Sequence, residues 1–119
     1  MLSLPLPVRI FLCTQPADMR RGFDGLAQMV REFLGADPLS GHLFVFRSKR
    51  GDRLKLLYWD SDGLAIWYKR LEEGTFRFPA APADGHAIEV RGADLAMLLD
   101  GVELDSVRRR KRYRRPQPA

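Results

Sequence analysis

Three runs of aliphatic and aromatic residues succeed one another between Leu43 and Leu71, broken only by short turn-forming stretches. That spacing constrains the fold more than any other feature of the chain. The runs are Leu43–Arg47, Arg53–Trp59 and Leu64–Leu71, and their interruptions read Ser48-Lys49-Arg50-Gly51-Asp52 and Asp60-Ser61-Asp62-Gly63. Loops this short cannot carry a crossover, so successive strands must be antiparallel neighbours. Glu72-Glu73-Gly74 turns the chain again into Thr75–Phe78, which makes a meander of three or four strands. Pro79 to Gly85 is a loop by composition, and His86–Arg91 alternates like a last strand.

The period differs before and after this block. Val8–Cys13 reads as a first strand, ended by Thr14-Gln15-Pro16. Asp18 is placed to cap a helix. Phe23, Leu26, Ala27, Val30, Phe33 and Leu34 then fall on one helical face, with Asp24, Gln28, Arg31 and Glu32 opposite. Gly35 stops this helix and Pro38 prevents its resumption. Gly22 and Gly25 each weaken its start by about 1 kcal/mol relative to alanine, which points to close backbone packing or a loosely formed first turn. A short helix from about Ala93 to Asp100 buries Leu95, Leu98 and Leu99, with Gly101 as its stop. The expected class is α+β: an antiparallel meander of about four to six strands, packed by one main helix and a short C-terminal one.

Length and charge set the organisation. The 119 residues allow one hydrophobic core. No apolar run approaches the roughly 18 residues a transmembrane helix requires. The N-terminus lacks a basic segment and is broken by Pro5 and Pro7, so a secretory signal is not expected and the cytoplasm is the default location. Cys13 is the sole cysteine, which excludes an internal disulfide and any zinc site built on paired thiolates. With His42 and His86 the only histidines, neither a metal nor another cofactor is expected. The net charge of +5 is concentrated in Arg108-Arg109-Arg110-Lys111-Arg112-Tyr113-Arg114-Arg115. Seven of the 20 basic residues lie in that stretch and all 15 acids precede it, so residues 1–107 alone carry −2. A near-neutral domain (1–107) succeeded by a basic tail (108–119), disordered when unbound, is the expected arrangement.

Several ordered motifs carry a family resemblance. Asp18-Met19-Arg20-Arg21-Gly22-Phe23-Asp24-Gly25-Leu26-Ala27 is one. Gly41-His42-Leu43-Phe44-Val45-Phe46-Arg47 is another, continuing through Gly51-Asp52-Arg53-Leu54-Lys55-Leu56-Leu57-Tyr58-Trp59-Asp60, then Gly63-Leu64 and Trp67-Tyr68-Lys69-Arg70-Leu71. Together, from about Val8 to Leu99, they resemble the small accessory proteins, often called TnpB or Orf2, of the bacterial insertion-sequence family numbered sixty-six. These are distinct from the RNA-guided nuclease that shares the name TnpB. The resemblance implies a helper in DNA transposition whose strand-transfer chemistry belongs to a separate, large transposase. It supplies no catalytic residues.

Among candidate binding residues the tail, Arg108 to Arg115, comes first. It would neutralise several phosphates and release their counterions, with arginines suited to bidentate contact and Tyr113 able to stack on an unpaired base. The alternatives are a solvated tail or docking on an acidic patch of the transposase. A second cluster is Arg47, Lys49, Arg50, Arg53 and Lys55 around a hairpin loop, with Arg53 and Lys55 on one face. Two-stranded ribbons enter DNA major grooves, although basic residues also protect exposed strands from edge pairing. Trp59 and Trp67, with Tyr58 and Tyr68, offer either core packing or an exposed patch for bases or transposase. Arg20 and Arg21 could meet phosphate or the partner, or pair with Asp18 or Asp24. Asp60 and Asp62 read as turn chemistry with Gly63 supplying positive φ, rather than as a metal pair, and both histidines read as structural.

Three functional classes fit these residues. The leading one is a non-enzymatic accessory protein that contacts DNA at the element ends and also engages the transposase. The second is a protein–protein adaptor or regulator of the transposase that touches no DNA. The third is a small toxin-like ribonuclease using residues such as Tyr58, Tyr68 or His86.

Overall fold

The computed structural model describes residues 8–83 and 85–101; the basic stretch at 108–115 lies outside them. The elements run β1 (Ile10–Cys13), α1 (Phe23–Leu34), β2 (Leu43–Arg47), β3 (Arg53–Asp60), β4 (Gly63–Arg70), β5 (Ala87–Val90) and α2 (Gly92–Leu99). They build one five-stranded sheet in the order β4-β3-β2-β1-β5. β2, β3 and β4 form the expected antiparallel meander, with Phe44 opposite Leu57 and Leu56 opposite Trp67. β5 is also antiparallel, pairing Leu12 with Ile88. The class is α+β, as the patterning implies.

Two features of the sheet depart from the sequence-based expectation. β1 and β2 are parallel neighbours, Phe11 opposite Phe44, joined through α1 as a strand–helix–strand crossover. Thr75–Phe78 forms no strand: Phe76 is pinned by its N–H to the Gly51 carbonyl (2.8 Å) and by its carbonyl to the Arg47 guanidinium (3.0 Å). A segment held by isolated bonds to a loop buries its aromatic ring without extending the ladder.

Period-two alternation sends each strand's side chains into one of two cores. On one side Ile10, Leu12, Leu43, Val45, Leu54 and Leu56 pack with Phe76 and with Leu95 and Leu98 of α2. On the other, Phe44, Phe46 and Leu57 pack beneath Leu26, Ala27, Met29 and Val30 of α1. Helices thus cover both faces, and the strands between them are apolar on both sides, as buried strands must be.

The ends of α1 show how local chemistry operates. Gly35 stops it in the left-handed region (φ 57°), and its N–H reaches the Val30 carbonyl. Asp18 does not cap the helix; Gly22 occupies that position without a side-chain cap. Asp18 instead accepts from the Arg20 N–H (2.9 Å) and guanidinium (2.7 Å), closing a turn before the helix. Gly25 is explained by close approach: a Cβ there would lie 3.0 Å from the Arg21 Cβ. Phe23 shares the angle of the buried stripe but stands in the first turn, one turn beyond the covered residues, and is 50% exposed. Among the described residues, no helix is long and apolar enough to cross a membrane.

Candidate nucleic-acid interface

The β2–β3 connection is a closely hydrogen-bonded loop. Ser48 is buried, and its hydroxyl accepts from the Arg53 N–H (3.1 Å) and donates to Asp52 (3.3 Å). Gly51 takes φ 84°, donates to the Ser48 carbonyl and accepts from Phe76, while the Asp52 carbonyl accepts from the Leu71 N–H (2.8 Å). A side chain at Gly51 would meet both positive-φ strain and the Thr75 Cβ at 3.3 Å. Lys49 and Arg50 project from the fixed tip into solvent.

The other basic residues of this region have different surroundings. Arg47 lies half-buried on the α2 side, its guanidinium on the Phe76 carbonyl and 4.2 Å above the Phe78 ring. Burial lowers its pKa. Arg53 and Lys55 share the opposite face, as alternation requires, but the segment leading into α1 folds over that face. Lys55 is only 7% exposed. Its Nζ donates to the Met19 carbonyl (2.7 Å) and the Arg21 carbonyl (2.9 Å), and lies 4.6 Å from the centre of the Tyr68 ring. It therefore ties Met19–Arg21 to β3, which brings Arg20 and Arg21 to the same end of the sheet. Arg20 is spent largely on Asp18, whose carboxyl those hydrogen bonds hold down to about 2. Arg21 donates to the Gly25 carbonyl (3.2 Å).

Register adds a pair that residue patterning did not select. Arg53 stands directly opposite Arg70, and Lys55 opposite Tyr68. Arg53 Nη1 donates to the Tyr68 hydroxyl (3.2 Å), and Arg70 meets Glu72 at 3.2 Å. Arg53, Tyr68, Arg70 and Glu72 line an open recess of about 480 Å³. The signal was present in the sequence as Tyr68-Lys69-Arg70, but only the register shows which of these residues face Arg53.

The tryptophans separate. Trp67 packs on the α2-side core with Tyr58, while Trp59 faces the other side opposite Leu64. Trp59 and Tyr68 share a face but sit at opposite ends of the β3–β4 hairpin, so they form no common stacking platform. His42 accepts from the Arg9 N–H (3.0 Å) and sets its ring edge-on to Phe11; the His86 ring packs in the same way against Phe33. Asp60 and Asp62 flank the β3–β4 turn, where Ser61 rather than Gly63 takes positive φ (56°). Among the described residues no cluster of three or more His, Cys, Asp or Glu could hold a metal ion. Cys13 is buried, which raises its thiol pKa.

Residues 8–109 match the family described as IS66 Orf2 like protein. The chain is 42% identical to the uncharacterized protein y4jC of Sinorhizobium fredii, over 92% of this chain and 91% of that one. It is 43% identical to y4hO of the same organism, over 81% and 82%. No solved structure matches it significantly. With the family spanning the whole described domain, the chain belongs to the IS66 Orf2-like proteins, the accessory proteins of insertion-sequence transposition.

Proposed function

We propose that the protein is a non-catalytic accessory that holds element-end DNA through its basic tail, Arg108 to Arg115, while the folded domain engages the transposase. The observation that carries this reading is the charge distribution. Seven basic residues without one acid succeed a body of net charge −2, so attraction to polyanions resides in the tail. The exposed Lys49 and Arg50, on their hydrogen-bonded tip, and the neighbouring Arg53 give the domain a second point of contact with phosphate. Arg47 and Lys55 support this surface from within: one anchors the segment at Phe76, the other the segment before α1. Trp59, Trp67, Arg20 and Arg21 are the candidates for contact with the transposase.

The test compares the intact protein with a 1–107 truncation on labelled duplex carrying the element's terminal repeat, beside a scrambled duplex and over a salt series. For five to seven phosphate contacts, log affinity should fall against log salt with a slope of roughly −4.5 to −6. Truncation should abolish this binding while leaving transposase binding intact. Preference for the true end would assign sequence reading to the folded domain, since phosphate contacts carry none. Failure of both forms to bind at moderate salt would refute DNA handling and leave the transposase as the sole partner.

A further inference from the structure

We propose that the recess between Arg53, Tyr68, Arg70 and Glu72 is a nucleotide-sized site for single-stranded DNA, in which the two arginines take a backbone phosphate and Tyr68 stacks an unpaired base. The inference rests on the DNA-handling reading but concerns an adjoining surface, which shares Arg53 with it, and a different strand state.

Like charges directly opposite each other on adjacent strands destabilise a sheet. Arg53 and Arg70 are such a pair, and among the described residues the one carboxylate lining their recess is Glu72, whose side chain is itself 85% exposed. An exposed ion pair of this kind contributes little and yields readily to a competing anion. Two arginines lining one recess can together present guanidinium donors to the oxygens of a phosphodiester.

Tyr68 adds the second element of recognition. It is 46% exposed, yet the buried Lys55 ammonium lies against its ring and Arg53 holds its hydroxyl. A ring fixed in this way loses little freedom when a base stacks on it. In a duplex the bases are already stacked on one another and cannot reach a side chain on a sheet face. An unpaired strand can, because each of its bases offers a free π-face. Arginine pair and aromatic together therefore favour a single strand over a duplex.

The test measures fluorescence anisotropy of the full chain with a labelled short oligothymidylate and with a duplex of equal length. Stacking of one base is worth about 1–3 kcal/mol, so Tyr68→Leu should weaken oligothymidylate binding roughly 5- to 150-fold and leave duplex binding unchanged. Tyr68→Phe, which keeps the ring, should retain most of the affinity. Arg70→Gln should reduce the single-strand salt slope by about 0.7, the value for one phosphate. Glu72→Gln should tighten binding by removing the competing carboxylate. Equal loss on both DNAs, or no loss in Tyr68→Leu with an unchanged slope in Arg70→Gln, would overturn the proposal. Arg70 is exposed, so its variant decides the matter even where Tyr68→Leu fails to fold. Duplex binding that depends on the tail, beside single-strand binding indifferent to Tyr68 and Arg70, would sink this site alone. Tyr68-dependent single-strand binding without any duplex binding would leave this site standing and remove the tail's role on duplex.

Discussion

Replacing Lys55 with methionine removes an ammonium that the fold has enclosed without a carboxylate partner among the described residues, and its contacts set the scale of the cost. Lys55 Nζ donates to the Met19 and Arg21 carbonyls at 2.7 and 2.9 Å and lies against the Tyr68 ring. Hydrogen bonds to a charged group contribute about 1.5–3 kcal/mol each after exchange with water. That figure is already net of the ammonium's own desolvation, which methionine no longer incurs. Methionine nearly matches the aliphatic stem, so little packing is lost. The two carbonyls, however, lose their donor, at about 1–3 kcal/mol for each that stays buried. The balance favours a net loss of about 2–4 kcal/mol, an appreciable share of the roughly 5–15 kcal/mol that stabilises a domain. Chemical denaturation of the two proteins measures it, and hydrogen exchange locates it. Amides near Met19–Arg21 and the first turn of α1 should lose protection before those of α2. A loss below about 1 kcal/mol would mean that water readily replaces the ammonium on both carbonyls. Uniform loss of protection across the domain would refute the idea that Lys55 acts as a local tether.

Two further substitutions probe the turns on either side. Ser61 takes a left-handed φ of 56° with a side chain present, so Ser61→Gly should stabilise the β3–β4 hairpin by about 0.5–1 kcal/mol in chemical denaturation, and a destabilisation would contradict the assignment of strain there. The Asp18 carboxyl should titrate near 2 rather than the usual 3.8, chiefly because the Arg20 side chain donates to it. Its folded value is depressed, so its contribution to stability is complete above the usual carboxylate range and is lost as pH falls through about 2. Carboxyl-carbon NMR across that window checks the value, and Arg20→Ala should return it towards normal; an unmoved midpoint in that variant would rule out Arg20 as the cause.

The meander was legible because β2, β3 and β4 are runs of aliphatic and aromatic residues separated by turns too short for any crossover. The parallel pairing of β1 with β2 was not, because the same strand and helix patterns fit several sheet orders. Nothing local announces that Phe11 will lie opposite Phe44. Thr75–Phe78 has strand composition, but its hydrogen bonds go to the Gly51 loop and to Arg47, partners set by tertiary placement. The basic cluster shows the same division. Alternation correctly puts Arg53 and Lys55 on one face. Which face the Met19–Arg21 segment would cover is a property of the whole fold, and that decides that Lys55 is buried while Lys49 and Arg50 stay in water. The Arg53–Arg70 opposition needed the register of two strands, which no single run of residues contains.

A domain of net charge −2 looks ill-suited to binding an anion, but the placement of its charges matters more than their sum. The β3–β4 hairpin is polarised along its length. Arg53 and Arg70 stand at one end, with Lys49 and Arg50 on the adjoining loop, while Asp60 and Asp62 occupy the far turn. Seven residue steps of β-structure separate these ends by roughly 24 Å. The screening length at physiological salt is about 8 Å, so exposed charges at one end are nearly invisible at the other. The acidic turn therefore neither cancels the attraction of the arginine end for phosphate nor weakens it measurably in salt. In dilute buffer, where the screening length grows to about 30 Å, the two ends do sense each other. Substituting Asp60 and Asp62 would then strengthen anion binding at low ionic strength only, so the long-range and local parts of the field separate along the salt axis.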